Sequence, residues 1–389
     1  MLTAAQLDVL PQPIIAMYDE YMQSVINDIA RRLAGMDFAS SSAAWQMQRL
    51  TESGKVYETA LEELAKLDGR SEELLREMFD RAGVKTLQFD DAIYRAVGLD
   101  PLPLNLSPAM AEVLRAGLEK TRGAMYNLTR TTATGSVESF VHAADIAYMQ
   151  VSSGAFSYQE ALRAGIKKLA RNNLPLIGYA SGRQDKLDVA LRRTLLTGVS
   201  QTAGQLQMMR ADQMGCDLVQ TSAHIGARNT GVGPANHESW QGKIFSRSGT
   251  HKKYPDFVAE TGYGTGAGLM GWNCRHSIFP FFEELSTEHY KAADLESYAK
   301  EEVSYKGERM SVYDATQTQR QLERNIRATK REIAALDAAG LDSTEERTQL
   351  YEDQREMRSF VRQTKLQRQR FREQAHELDK QPKALRPRQ

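Results

Sequence analysis

Residues Ser222–Phe282 read SAHIGARNTGVGPANHESWQGKIFSRSGTHKKYPDFVAETGYGTGAGLMGWNCRHSIFPFF. This polar, glycine-rich stretch interrupts sequence that is otherwise amphipathic and helix-forming. Five of the seven histidines, two of the three tryptophans and one of the two cysteines lie between Ser222 and His289. Such an island is either a site or a rigid, irregular core.

Four of its side chains are candidate metal ligands of the kind zinc takes: His224, His237, Cys274 and His276. Their spacing is not that of a zinc finger, because His224 to His237 is a long gap and Cys274-x-His276 is tighter than C-x2-C. The alternative is that these groups hydrogen-bond irregular backbone. Cys274 beside a histidine is also a candidate nucleophile pair. The run Gly262–Gly271 contains a formal G-x-G-x-x-G, but YPDFVAET before it is a poor strand. Its glycines therefore read as tight turns and close backbone packing rather than a phosphate cradle. Trp240 and Trp272 are expected as core anchors. Arg228 and Arg275 are expected to lock loop carbonyls or carboxylates.

Outward from the island the chain reads as helices. On the N-terminal side, Ile14, Met17, Tyr18, Tyr21, Val25, Ile29 and Leu33 are at helical spacing over 14–34, with Gly35 as a stop. Further helices are expected over Ala43–Leu67, over Glu72–Ala82 starting at Ser71, and over Ala109–Asn127 after the proline-punctuated link Asp100–Pro108. Ser157-x-x-Glu160 is a capping box. Lys186–Met214 carries Leu187, Leu191, Leu195, Val199, Leu206 and Met209 and ends at Gly215. Asp217–Ser222 is the clearest strand. On the C-terminal side, helix resumes at Thr316, turns at Ala338–Ser343, restarts at a second capping box, Ser343-x-x-Glu346, and runs to about Leu378. The pair reads as an antiparallel helical hairpin.

Lys and Arg number 50, as do Asp and Glu, so the 389-residue chain is formally neutral. No apolar run approaches the ~20 residues that span a bilayer. No signal-peptide pattern opens the sequence, and two cysteines fit synthesis in a reducing cytoplasm. The neutral total hides a basic C-terminal stretch that includes Arg362, Lys365, Arg368, Arg370 and Arg372. Such a stretch can meet nucleic acid, or it can be a solvated helix face.

HIGARN…HESWQGKIFS, KKYPDF…TGYGTG and GWNCRHSIFPFF together resemble the minor capsid protein family of tailed bacteriophages and prophages. That family looks like a distant relative of the phage Mu F-like head morphogenesis proteins. WQMQRL at Trp45–Leu50 and the segment from Tyr313 to Arg327 extend the likeness over nearly the whole chain. The family signature falls on His224, Gly226, Arg228, His237, Trp240, Gly242, Phe245, Tyr254, Pro255, Gly262, Gly264, Gly266, Trp272, Asn273, Cys274, Arg275 and His276. The loop Asn229–Ala235 departs from it, being longer and richer in glycine.

The resemblance implies an α+β, predominantly α-helical protein. Its parts would be a helical region over 1–150, a Mu F-like α+β domain over 151–312, a helical hairpin over 313–379 and a flexible tail over 380–389. It implies a virion protein at the portal vertex or inside the head, with the portal protein or the major capsid protein as partner. Non-specific contact with packaged double-stranded DNA would fall to the basic stretch. It implies no enzymatic activity and no cofactor, with zinc the one candidate. The alternative is an enzyme or toxin-like protein using the His/Cys residues of 222–276.

Overall fold

The computed structural model describes residues 1–172, 177–178, 182 and 184–375. Seven helices come first: α1 (Ala4–Val9), α2 (Gln12–Ala34), α3 (Ser42–Ala65), α4 (Asp68–Ala96), α5 (Pro108–Thr129), α6 (Thr132–Ser152) and α7 (Tyr158–Asn172). A small antiparallel pair, β1 (Ile177–Gly178) and β2 (Gln184–Asp185), leads into α8 (Leu187–Gln213). The island follows as β3 (Leu218–Thr221), β4 (Ile244–Ser246), α9 (Phe257–Thr261) and β5 (Ile278–Pro280). Then come α10 (Ala292–Lys300), the hairpin β6 (Glu302–Tyr305)–β7 (Glu308–Ser311), α11 (Val312–Ala338) and α12 (Thr344–Thr364). The chain is thus mostly helical with small antiparallel sheets, as its residues led us to expect.

The apolar spacing of the N-terminal helix has a direct structural outcome. Ile14, Met17, Tyr18, Tyr21, Val25, Ile29 and Leu33 are all buried, because α2 is packed by α3, α4, α7, α8 and α11. The largest apolar cluster gathers side chains from α1 through α8 and from the end of α11 around it. α8 is buried on more than one side, through Leu187, Leu191, Leu195, Val199 and Leu206 on one face and Ala190, Leu196, Ser200 and Ala211 on another, which is why its sequence stripe is only approximate. Ser157 and Glu160 form the expected reciprocal cap of α7, with Glu160 N–H donating to Ser157 Oγ at 3.2 Å and Ser157 N–H to Glu160 at 2.9 Å.

Three expected helix boundaries are corrected. α4 begins at Asp68 rather than at Ser71 and continues past Ala82 to Ala96. The helix runs through Gly83, where a Cβ would come within 2.9 Å of Leu114; the glycine lets α4 lie close to α5. Ser343 does not cap α12. Its hydroxyl donates instead to Asp337 at 2.6 Å, and Glu346 accepts from Arg163 and Lys167 at 2.6 and 2.8 Å. Tertiary ion pairs outcompete the local capping box. Finally, α12 ends at Thr364 instead of near Leu378. Lys365 takes a left-handed conformation (φ 60°), and the chain returns across α11, where Gln319 donates to Gln367 O at 2.8 Å. The expected helix end at Leu378 and the tail 380–389 lie outside the described residues.

β3 is the central strand of the island sheet, between β4 and β5, with Val219 opposite both Phe245 and Pro280. All three strands are buried on both faces, so they read as short apolar runs without alternation. A compact core of Val219, Trp240, Phe245, Phe257, Leu269, Met270, Cys274 and Ile278 joins this sheet to the glycine-rich loops.

Candidate functional site: a buried His–Cys cluster beneath a basic cleft

The loops of the island are folded by close backbone contact. A Cβ on Gly268 would lie 2.3 Å from Gly262 O, and one on Gly271 would lie 2.4 Å from Gly266 O. Only glycine fits either position. YPDFVAET does not form a strand; it contains the short helix α9, which Asp256 caps through Ala259 N–H. The phosphate-cradle pattern therefore lacks its strand, and the glycines serve the close packing expected of them. Met270 (φ 58°) and Asn273 (φ 57°) are non-glycine residues in the left-handed region, and they turn the chain so that Cys274 and His276 face inward just before β5.

His237 begins a single 3₁₀ turn (His237–Ser239) and is buried against Trp240, with ring centroids 4.8 Å apart. Trp240 itself is fully buried and donates its indole N–H to Pro234 O at 3.0 Å. His276 sits at the centre of the group. Its ring lies 4.8 Å from Trp240, 5.4 Å from His237 and 4.5 Å from His224, on which it stacks.

The hydrogen bonds assign the tautomers. Gln241 Oε1 accepts from the His224 backbone N–H at 3.0 Å, so it must be the amide oxygen. His276 Nε2 faces the same oxygen at 3.2 Å and therefore carries the hydrogen. His276 Nδ1 is left with its lone pair, 3.6 Å from Cys274 Sγ. His237 Nε2 faces Ala267 O at 2.9 Å, so it too carries the hydrogen and Nδ1 the lone pair.

Electrostatics agree with a neutral cluster. Burial, reinforced by the neighbouring His224, His237, Arg275 and Arg228, holds His276 well below the usual imidazole value. Burial also lowers His237 to about 4, with Arg228 and His224 adding to it. Burial pushes the Cys274 thiol up. A nucleophilic cysteine needs the opposite, a depressed thiol beside a basic imidazole. The Cys274–His276 pair is thus poor catalytic machinery as it stands.

Of the four candidate metal ligands, the fold brings three together. His237, Cys274 and His276 each offer a ligand atom, and these atoms lie within 4.8 Å of one another. His224 stacks above them, its Nδ1 facing Ile225 O at 3.1 Å. A cleft of about 150 Å³ opens beside the cluster, lined in part by His224, His237, His276, Asn273 and three arginines, Arg228, Arg275 and Arg320. Arg228 donates to Trp272 O at 3.0 Å, and Arg275 pairs with Asp8 at 3.0 Å, a loop carbonyl and a carboxylate as expected. Gly242 (φ 71°) and Gly264 (φ 90°) both need the left-handed backbone.

Trp272 corrects the expectation of a second core anchor. It is 59% exposed, and its ring lies flat over Gly266, where a Cβ would be 2.7 Å from the indole. Gln241, Asp8 and Arg320 were not singled out from sequence. Gln241 sits inside HESWQGK and had a local signal; Asp8 and Arg320 reach the cleft only through tertiary packing.

The basic C-terminal stretch divides. Arg362, Lys365 and Arg370 are exposed. Arg368 is held by Glu373 at 2.5 Å, and Arg372 is buried against Asp8 at 2.9 Å. Those two arginines are engaged inside the protein.

A family profile described as "Phage minor capsid protein 2" matches residues 2–362. A "Structural protein" of Lactococcus phage LL-H is 21% identical over 344 residues, covering 85% of this chain and 86% of that protein. A "Structural protein" of Lactococcus phage mv4 is 33% identical over 88 residues, 23% of this chain and 62% of that protein. No solved structure matches significantly. Because the profile takes in nearly the whole chain, from α1 into the last turn of α12 and with the small sheets and the His–Cys island between, the chain belongs to the phage minor capsid protein 2 family and is a phage capsid structural protein.

Proposed function

We propose that this minor capsid protein works at the portal vertex or inside the head, docked on the portal protein or the major capsid protein. The observation that carries the reading is the outer face of α3. Met47, Leu50, Tyr57 and Leu61 fall on one side of that helix and are exposed, Met47 at 66% and Leu50 at 70%. Trp45, Val56 and Ala60 on the other side are buried in the core. A helix that is apolar on both faces has more to bury than its own fold accepts, which suits a protein partner.

Arg355, Arg358 and Arg362 form a second exposed row, on α12, continued by Lys365 and Arg370. Their spacing places the three helical arginines on one face. This row supports non-specific contact with the phosphates of packaged DNA, which would weaken steeply with salt. The Cys274 thiol, buried and raised, gives the enzyme or toxin-like alternative no support.

Quantitative mass spectrometry of purified particles, empty and DNA-filled, tests the location. A few copies per particle in both forms are expected, with cross-links from α3 to portal or capsid subunits. A Leu50→Asp chain that folds normally should be depleted from particles. Absence of the wild-type protein from all particles would reject the reading.

A further inference from the structure

We propose that His237, Cys274 and His276 form a zinc site, with Cys274 as thiolate and each imidazole ligating through Nδ1. The argument rests on geometry. In a tetrahedral zinc site with Zn–S of about 2.3 Å and Zn–N of about 2.0 Å, a sulfur and a nitrogen ligand stand about 3.5 Å apart. Cys274 Sγ and His276 Nδ1 are 3.6 Å apart, the edge such a tetrahedron requires. A ring nitrogen of His237 is within 4.8 Å of both, so closing the site on its Nδ1, the nitrogen that Ala267 O leaves free, needs a small turn of that ring and a shift of about 1–1.5 Å.

The surroundings also match a metal site. Ligating histidines commonly donate their second ring N–H to a carbonyl or carboxylate, which fixes the tautomer and aims the lone pair. His237 does this with Ala267 O, and His276 does it with Gln241 Oε1. The nearby arginines are turned to other partners, since Arg275 shares the carboxylate of Asp8 with Arg372 and Arg228 donates to loop carbonyls.

Binding is balanced simply. Cys274 loses its thiol proton to solvent as the Zn–S bond forms, and the two neutral imidazoles give lone pairs without losing a proton. Three protein ligands leave a fourth position, and because His237 and His276 both line the cleft, that position faces it. Water or an anionic group would complete the coordination there. The site would tie the His237 turn to the segment entering β5, two parts of the island 37 residues apart (His237 to Cys274).

The test uses the full chain loaded with Zn²⁺ or Co²⁺, desalted, and analysed for metal content and absorption. About one metal per chain is expected, and the cobalt form should show a thiolate-to-cobalt charge-transfer band with intense tetrahedral bands. The chain has two cysteines. A charge-transfer band that persists in Cys216→Ser therefore belongs to Cys274, and this holds even if Cys274→Ser fails to fold. Where Cys274→Ser does fold, it should lose the band. Failure of the wild-type chain to retain metal, a cobalt adduct without the thiolate band, or a band lost in Cys216→Ser and kept in Cys274→Ser would each overturn the site.

Discussion

Asp90 shows how a single residue sets a pH dependence. It is buried on α4, where Gln207 donates to it at 2.9 Å. Burial pushes its carboxyl up to about 7, against the pull of the nearby Met1 amine and Gln207. The folded value is raised above the unfolded one, so its contribution is fully present below about pH 4 and is lost as pH rises through 7. Asp90→Asn removes this term. Urea unfolding should find the variant and wild type close in stability near pH 4. Near pH 8 the variant should be more stable by about 2–4 kcal/mol. A difference that does not grow with pH would contradict the assignment. Nothing in the sequence marks Asp90; in contrast, His237, Cys274 and His276 stood out by residue type, although their convergence did not.

At the scale of elements, α5 and α8 show close approach by reciprocal glycines. A Cβ on Gly117 would lie 2.0 Å from Thr202 Oγ1, and one on Gly198 would lie 2.1 Å from Thr121 Oγ1. Each glycine receives a threonine of the other helix. Gly123, on the same α5, is exposed and has nothing within 4 Å of such a Cβ. Alanine improves helix propensity by about 1 kcal/mol at either position, so propensity alone predicts two stabilised variants. Packing reverses one of them. Gly123→Ala should gain about 0.5–1 kcal/mol, and Gly117→Ala should lose about 1–3 kcal/mol as the helices separate. Chemical denaturation of both variants decides; equal gains would show that the interface relaxes freely. The hairpin β6–β7 was also hidden from the sequence reading. Its turn, Lys306-Gly307, places both residues at positive φ (52° and 87°), which suits the twist of a two-residue hairpin loop.

For the whole molecule, buried and half-buried ion pairs tie distant parts of the chain. Asp8 on α1 holds Arg275 of the island at 3.0 Å and Arg372 of the C-terminal return at 2.9 Å. Asp19 on α2 accepts from Arg331 on α11 at 2.7 Å, and Asp188 on α8 pairs with Arg327 on α11 at 2.6 Å. Such pairs add little net stability, yet removing one partner leaves a charge stranded. Asp8→Ala takes a carboxylate from two arginines, of which Arg372 keeps Glu323 at 4.0 Å, and should cost about 1–3 kcal/mol, below the value for a fully buried pair. Hydrogen exchange should rise over 366–375 and around Arg275 while the middle of α12 stays protected. Unchanged exchange at both places would show that the contacts carry no weight.

The sequence by itself determined most of the long helices, though not α6 or the second half of α4, and also the central strand and the family, because these rest on local periodicity and on side chains of unusual type in fixed order. Ile14 through Leu33 could only be an amphipathic helix, and the 222–282 island could only be an exception to it. Tertiary structure alone decided where that periodicity yields. α12 stops at Thr364, though its sequence permits more helix, because Arg372 finds Asp8 and Gln367 finds Gln319 across the fold. Ser343 and Glu346 leave their capping box for partners from elsewhere in the chain. The convergence of His237 with Cys274 and His276 has the same origin, since it depends on the His237 turn docking on the glycine loops, where His237 meets Ala267 O and Gly262 lies against Pro234. Local pattern fixes what each segment can be; burial of charge and close packing, which no window of sequence contains, select what it becomes.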